Sequence, residues 1–482
     1  MNMQPLPWKG GVFIKQNLME RLRSGAEITS RQQLKLALQL SWPAIMAQLS
    51  SIVMQYIDAS MVGSLGANQS AAVGLVATTT WLFMEVMIAL TTGFTILVAQ
   101  NLGARDEKNA RSIMKQGFVL TIAICLVLAA VAALISGSLP RWLKADQVIW
   151  ADASAYFLIY ALFMPVQQIN SISAGMLRAS GNMKVPGACM VSMCFLDVVF
   201  NALLIFPTGT ITLGAFALPG AGLGVLGAAL GTALAHTASA IFLLLYLLLR
   251  CPELRLRRGE PLHFSLPQIR RSLQISLPIT LEMLVTATAR IVTTRIVAPL
   301  GTIAIAANSF AITVEALCYM PGYGIQSAAA TLVGQSIGAK RKALAYRLGR
   351  LTVLLGMTVM GIFAVLMYVF APQMIGMLSP DPEVVALGVA VLRIQAFAEP
   401  LYAAGLVASG VFQGAGSTLP STIMNAISMW GVRVPVSALL APRFGLHGVW
   451  IAMASQLSVC GILFLIRLHR KRWLPADMQE DL

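Results

Sequence analysis

The chain has 482 residues, of which 57% are hydrophobic and only 11% charged, and its mean hydropathy is +0.76. Soluble globular proteins carry about 25% charged residues, so an ordinary water-soluble architecture is excluded. The formal net charge is +15, but the basic residues lie in gaps between apolar runs, which points to a bilayer and not to nucleic acid.

Residues 1–33 form a basic segment without a continuous apolar stretch, so it does not read as a cleaved signal peptide. Six apolar runs follow, near 34–62, 70–99, 113–137, 151–175, 185–206 and 221–249. A basic linker at 250–271 separates them from six more, near 272–298, 303–334, 346–371, 384–412, 419–440 and 445–467, before a tail at 468–482. Each run is close to or above the ~20 residues of one helical span. All are far longer than a ~10-residue barrel strand. The expected fold is an all-α integral membrane protein with twelve transmembrane helices in two six-helix lobes, 34–249 and 272–467.

Charge placement supports the count. Of 34 Lys and Arg, 27 fall in the N-terminal segment, four alternate loops and the tail, or at the span edges that border them. Three (Arg141, Lys144, Arg443) lie on the opposite side and four (Arg290, Arg295, Arg393, Arg433) deeper within spans. That excess places both termini in the cytoplasm.

The two halves repeat at an offset of 235 residues. Leu40-Ser41-Trp42-Pro43 matches Ile275-Ser276-Leu277-Pro278, and Leu65-Gly66 matches Leu300-Gly301. Val98-Ala99-Gln100 and Gly103-Ala104-Arg105 match Val333-Gly334-Gln335 and Gly338-Ala339-Lys340. Gly181 matches Gly416, and Pro186 matches Pro420 with one residue lost. An even number of spans per half makes the repeat parallel, with a pseudo-two-fold axis along the membrane normal and a site expected between the lobes.

Six of the nineteen acidic residues fall well inside spans: Asp58, Glu85, Asp197, Glu282, Glu315 and Glu399. Each costs ~3 kcal/mol or more in hydrocarbon, so each must face protein or water. Asp58 shares a helical face with Gln48, Ser51 and Gln55, a polar stripe expected to line the cleft. A poorly solvated carboxylate there is suited to exchange protons near neutral pH. Asp197 and Asn201, spaced i, i+4, offer hard oxygens to a proton or to sodium. Glu282 lies one turn after Pro278, with Arg290 and Arg295 further on as candidate ion-pair partners. Glu399 precedes Pro400, where a broken helix would free carbonyls for a cation. Arg433 is expected to pair structurally with a carboxylate. The 25 methionines are ordinary membrane filler or the lining of an adaptable pocket.

No GxxxxGK[ST], HExxH or GxSxG occurs, and the six cysteines form no CxxC pair, so no nucleotide motor, hydrolase, zinc site or disulfide framework is expected. Transport driven by an ion gradient is the reading that remains, without enzymatic activity, cofactor or structural metal. A lipid-linked precursor flippase of similar two-lobe design is the nearest alternative. Its cleft would carry arginines, whereas here four intramembrane arginines face six acids. A dedicated metabolite exporter would leave the same trace.

Several motifs resemble the multidrug and toxic compound extrusion (MATE) transporters. They are Trp42-Pro43, Tyr56-Ile57-Asp58 running to Val62-Gly63, and the paired Leu97-Val98-Ala99-Gln100-Asn101-Leu102-Gly103-Ala104 and Leu332-Val333-Gly334-Gln335-Ser336-Ile337-Gly338-Ala339. Leu177-Arg178-Ala179-Ser180-Gly181, Gln413-Gly414-Ala415-Gly416 and Gly431-Val432-Arg433-Val434-Pro435 add three more. The resemblance implies export of small cationic or amphipathic organic compounds, multidrug efflux, against inward proton or sodium flow by alternating access. Asp58 matches the family's first-helix aspartate and Asp197 a fifth-helix aspartate of its proton-coupled branch. Met193 and Thr286 depart from the patterns of the proton and sodium branches respectively, and Ser417-Thr418-Leu419 replaces a common Asp-Thr-Arg. Protons are favoured over sodium. The expected setting is the bacterial inner membrane, with a monomer, no nucleic acid, and substrate competing with the coupling ion in a carboxylate-lined cleft. Gln48, Ser51, Gln55, Glu282 and Glu399 would line that cleft, and Asp58, Asp197 and Asn201 would couple the ion.

Overall fold

The connections between spans are short, so consecutive helices run antiparallel and a bundle follows. The computed structural model describes residues 18–208, 212–213, 216–217, 220–257, 259–260 and 263–475. Residues 1–17 of the expected N-terminal segment, 476–482 of the tail and parts of the linker lie outside the described residues.

The first lobe begins with a short helix, α1 (Leu18–Arg23), followed by α2 (Ser30–Gly63) and α3 (Ala67–Gly103). The α2 N-terminus carries a reciprocal cap: Thr29 Oγ1 accepts from the Gln32 amide, and the Gln32 side chain accepts from the Thr29 amide. Next come α4 (Glu107–Ile135), started by an Asp106 cap, a single turn α5 (Leu139–Trp142), α6 (Trp150–Ala179) and α7 (Lys184–Ile205). Two-residue strands β1 (Thr212–Leu213) and β2 (Phe216–Ala217) pair in the connection to α8 (Val225–Arg250).

The second lobe runs through α9 (Leu266–Val297), α10 (Thr302–Gly338), α11 (Lys342–Gly376), α12 (Pro382–Ala396) and α13 (Glu399–Gly414). Then α14 (Leu419–Ser428) passes through a π-helical turn, Met429–Arg433, into α15 (Val434–His469). The α12–α13 pair is one span bent by 57°. The break falls at Phe397–Ala398, and Pro400 sits in the first turn of α13, where its missing amide breaks no helical hydrogen bond and its fixed φ suits a helix start. The 51-residue run Leu419–His469 is two spans, because Gly445 (φ 55°, ψ −136°) reverses the chain. Gly448 consequently lies against the Leu440 carbonyl, although residues eight apart in a straight helix are separated by about 12 Å. With the bent pair taken once and the long run twice, the described residues form twelve apolar spans, close to the expected ranges.

The repeat is written into the backbone. Gly66 and Gly301 (φ 131° and 99°), Arg105 and Lys340 (59° and 55°), and Gly181 and Gly416 (85° and 76°) are left-handed at matched places. Gly224 (φ 56°, ψ −126°) matches Gly445 in the same way. Their offset is shorter because the connection bearing β1 and β2 extends the first lobe.

The lobes meet where α2 packs on α10 and where α3 packs on α9 and α10. At the end of the bundle that holds both described termini the contact is reciprocal. Gly103 sits on the Gln335 carbonyl and Gly338 on the Gln100 carbonyl, with no room for a Cβ at either. Gln100 Nε2 donates to Gly414 O at 2.9 Å, and its repeat mate Gln335 donates to Ala179 O at 2.6 Å. Arg23 of α1 braces this seam, donating to Gln335 Oε1 (3.0 Å), Glu253 Oε1 (2.9 Å) and Ser180 O (2.7 Å). The linker is tied to α4 by Arg111, whose Nη2 meets Glu260 Oε1 at 2.8 Å.

Two outcomes follow from this packing. Gly338→Leu overpacks the seam and lowers stability by about 1–3 kcal/mol, seen as a reduced Tm, whereas the same change at Gly74, which has nothing within 4 Å of a Cβ, leaves Tm near wild type. The Arg111 hydrogen bonds hold the Glu260 carboxyl below the usual carboxylate range against the opposing effect of burial, with the charges of Arg111, Lys115 and Arg257 adding to the depression. A depressed folded value gives stabilisation that is complete above the unfolded value and lost as pH falls through the folded one. The protection factors of linker amides around Glu260, that is, exchange rates corrected for their intrinsic pH dependence, should therefore fall between pH 7 and acid, and Arg111→Ala should remove most of that fall.

Candidate functional site

Asp58 on α2 faces α7, and there two of the three intramembrane acids of the first lobe come together. Asn201 Nδ2 donates to Asp58 Oδ1 at 2.9 Å and to Asp197 Oδ2 at 3.1 Å. One carboxamide thus spends both its hydrogens on two carboxylates. Asp197 and Asn201 are each 1% exposed, while Asp58 is half-buried. The i, i+4 spacing places Asp197 below Asn201 on α7, and Gly231 of α8 leaves space for the amide, since a Cβ there would collide with Asn201 Oδ1. Asp197 Oδ1 and Asn201 Oδ1 are buried without a hydrogen-bond partner. The cluster therefore presents hard oxygens with unused lone pairs.

The second lobe holds an analogous arrangement on different elements. Gln395 Nε2 donates to Glu315 Oε1 at 2.8 Å and to Glu399 Oε1 at 3.5 Å. Here too one carboxylate oxygen, Glu399 Oε2, and the amide oxygen Gln395 Oε1 are buried and unpartnered. Glu399 stands at the break between α12 and α13, where the sequence placed a broken helix. Gln395 was not singled out from the sequence, although its i, i+4 spacing to Glu399 mirrors Asp197 and Asn201.

The arginines do not pair as expected. Glu282 is held by Asn425 Nδ2 (2.6 Å) and Thr422 Oγ1 (3.3 Å), and among the described residues it forms no ion pair with Arg290 or Arg295. Asn425 and Thr422 on α14 reach Glu282 on α9 first and satisfy both its oxygens. Arg433, in the π-helical turn, donates to Met453 Sδ at 3.0 Å and has no carboxylate within ion-pair distance.

Between the lobes lies a cavity of about 410 Å³. Its polar lining is carboxamide and hydroxyl: Gln48, Gln167, Gln168, Asn170, Gln326 and Gln413, with threonines from α3. Methionines 84, 87, 183 and 190 supply apolar wall, and Arg178 and His236 complete it. Among the described residues no carboxylate lines it. The expected carboxylate-lined cleft is therefore corrected: the acids sit in their own clusters within each lobe, where amides satisfy them, and the inter-lobe cavity is acid-free. Of the expected cleft residues Gln48 lines the cavity. Ser51, Gln55, Glu282 and Glu399 do not, since Ser51 and Gln55 lie further along α2 and the two glutamates are turned into second-lobe helix contacts. His236, Gln167, Gln168 and Asn170 carried no sequence signal beyond being polar within a span.

The shared amide makes Asn201 a sharp test. Hydrogen bonds to charged groups contribute about 1.5–3 kcal/mol each, so Asn201→Ala should lower Tm markedly at neutral pH. Asp58→Asn in the same background should recover part of that loss, because it removes one of two facing carboxylates, and a double-mutant cycle reads the coupling.

Comparison with known proteins agrees with this architecture. The MatE family profile matches the chain twice, over residues 43–203 and 278–439, whose starts are 235 residues apart. A probable multidrug resistance protein NorM of Thermotoga maritima is 27% identical over 443 residues, covering 90% of this chain and 92% of that protein. Among solved structures, a MATE in its straight conformation superposes with a TM-score of 0.84 at 20% identity, covering 91% of this chain and 97% of the other. The Vibrio cholerae MATE transporter VcmN in its bent form gives 0.82 at 19% identity, covering 94% and 100%. With a repeated family match over most of its length, two six-span lobes and twelve apolar helices, the chain belongs to the MatE family of multi-pass membrane transporters, which are not enzymes.

Proposed function

We propose that the protein is a secondary antiporter of the bacterial inner membrane, with cytoplasmic termini, that exports amphipathic organic compounds in exchange for protons. The multidrug resistance relatives support the efflux part of this reading. The shared Asn201 amide carries the coupling part. Two ionised carboxylates on one amide, away from water, repel each other, and a single proton on either relieves the repulsion. Binding and release of that proton changes how tightly α2 is held to α7. Because α2 also packs on α10 of the other lobe, the change reaches the inter-lobe seam. Proton occupancy then biases which end of the bundle is open, as alternating access requires.

Sodium is the second reading. It is supported by the unpartnered oxygens at Asp197, Asn201, Gln395 and Glu399, which suit a hard cation. The experiment is uphill efflux of a panel of fluorescent amphipathic dyes from proteoliposomes under a pH gradient or a sodium gradient. The pH gradient alone should drive wild-type efflux, and Asp58→Asn should cut the uphill rate at least about tenfold while downhill exchange persists. Undiminished uphill efflux in Asp58→Asn contradicts the proton assignment. Dependence on sodium with sensitivity to Glu399→Gln would move the coupling to the second lobe.

A further inference from the structure

The inter-lobe cavity is neutral apart from one side chain. Arg178, near the C-terminus of α6, lines it, and among the described residues its guanidinium makes no ion pair and no hydrogen bond. The residue bonds through its backbone: its carbonyl accepts from Thr331 Oγ1 at 3.2 Å and from the Gly181 amide at 2.8 Å. The side chain is only partly buried, so its guanidinium is open to the cavity, where water or a bound acidic group is its partner. None of the six intramembrane acids lines this cavity, and five of them are engaged by amides or hydroxyls elsewhere.

The fold itself does not demand the charge. The repeat places Gln413 at the matching position of the second lobe, where it lines the same cavity and is neutral. Two equivalent places on either side of the pseudo-two-fold axis therefore hold one cation and one amide. Gln48 and Gln168 add further carboxamides on the first-lobe side, and methionine walls accept apolar bodies of varied shape.

We infer that this cavity binds an amphipathic organic anion, whose carboxylate or comparable acidic group pairs with the Arg178 guanidinium while its apolar body lies against the methionines. A planar carboxylate matches the guanidinium fork bidentately. The substrate of the antiporter is then anionic or zwitterionic, not a simple cation, and ion and substrate occupy separate places. As a statement about transport this rests on the efflux reading above; as a statement about binding it stands alone.

The test uses one fluorophore with three charges, titrated against the purified full-length protein: dansylglycine (a carboxylate), dansylglycinamide (neutral) and dansylcadaverine (an ammonium). Dansylglycine should bind at least about tenfold more tightly than either of the others. Arg178→Gln should bring its Kd to that of the amide without changing the amide's, and Arg178→Lys, which keeps the charge and loses the fork, should fall between. Equal affinity of acid and amide, failure of all three to bind, or acid preference surviving in Arg178→Gln overturns the inference. Should Arg178→Gln fail to fold, the wild-type trio and Arg178→Lys still decide. Proteoliposomes under a pH gradient separate the two readings. Uphill movement of dansylcadaverine but not dansylglycine overturns the anionic substrate and leaves efflux standing. Acid-selective binding lost in Arg178→Gln, without uphill movement of any probe, upholds the site and overturns efflux.

Discussion

A charge that cannot reach water must find its partner inside the protein or in what the protein binds. That constraint orders the interior of this bundle. Asp58 and Asp197 meet on one asparagine, Glu315 and Glu399 on one glutamine, and Glu282 on an asparagine and a threonine. In each case the partner is a neutral amide or hydroxyl and not an arginine. A fixed ion pair would neutralise the carboxylate permanently. An amide supports it without cancelling its charge, which leaves the carboxylate free to take and lose a cation.

The same constraint gives meaning to the internal repeat. The backbone keeps its symmetry where the lobes cross: Gly103 and Gly338, Gln100 and Gln335, Ala179 and Gly414 make the same contacts in exchanged roles. The side chains abandon it where chemistry is placed. Asp58 matches Thr293, whose hydroxyl merely donates to the Ala289 carbonyl of its own helix, and Arg178 matches Gln413. The frame is thus symmetric where the lobes cross and the charges it carries are not, while both lobes line the cavity.

The spans, their number, the repeat and the break at Glu399 were legible because they rest on composition, proline chemistry and matched glycines, all local signals. Asp197 with Asn201 was legible for the same reason, a spacing along one helix. The junction of Asp58 with that pair depends on how α2 packs against α7, which no local pattern encodes. The expected cleft failed on similar ground. Gln48, Ser51, Gln55 and Asp58 do share a helical face, but the stripe from residue 48 to residue 58 spans about 15 Å of helix, so its ends serve different neighbours. Gln48 lines the cavity and Asp58 faces α7. The ion pair of Glu282 with Arg290 or Arg295, suggested by their places along one span, does not form because Asn425 and Thr422 of another helix lie nearer to Glu282 than any cation does.

The central claim is that the Asp58–Asn201–Asp197 centre exchanges a proton for each transport cycle although it stands apart from the cavity. Its most direct test is proton counting in proteoliposomes with no imposed gradient, with a pH dye trapped inside. A transported amphipathic probe is then added outside and its uptake is measured alongside internal pH. The account predicts that inward movement of the probe expels protons from the lumen in fixed ratio, so the lumen turns alkaline, and that Asp58→Asn takes up the probe with no pH change. Proton movement of undiminished ratio in Asp58→Asn, or probe uptake by wild type without any proton movement, would contradict it.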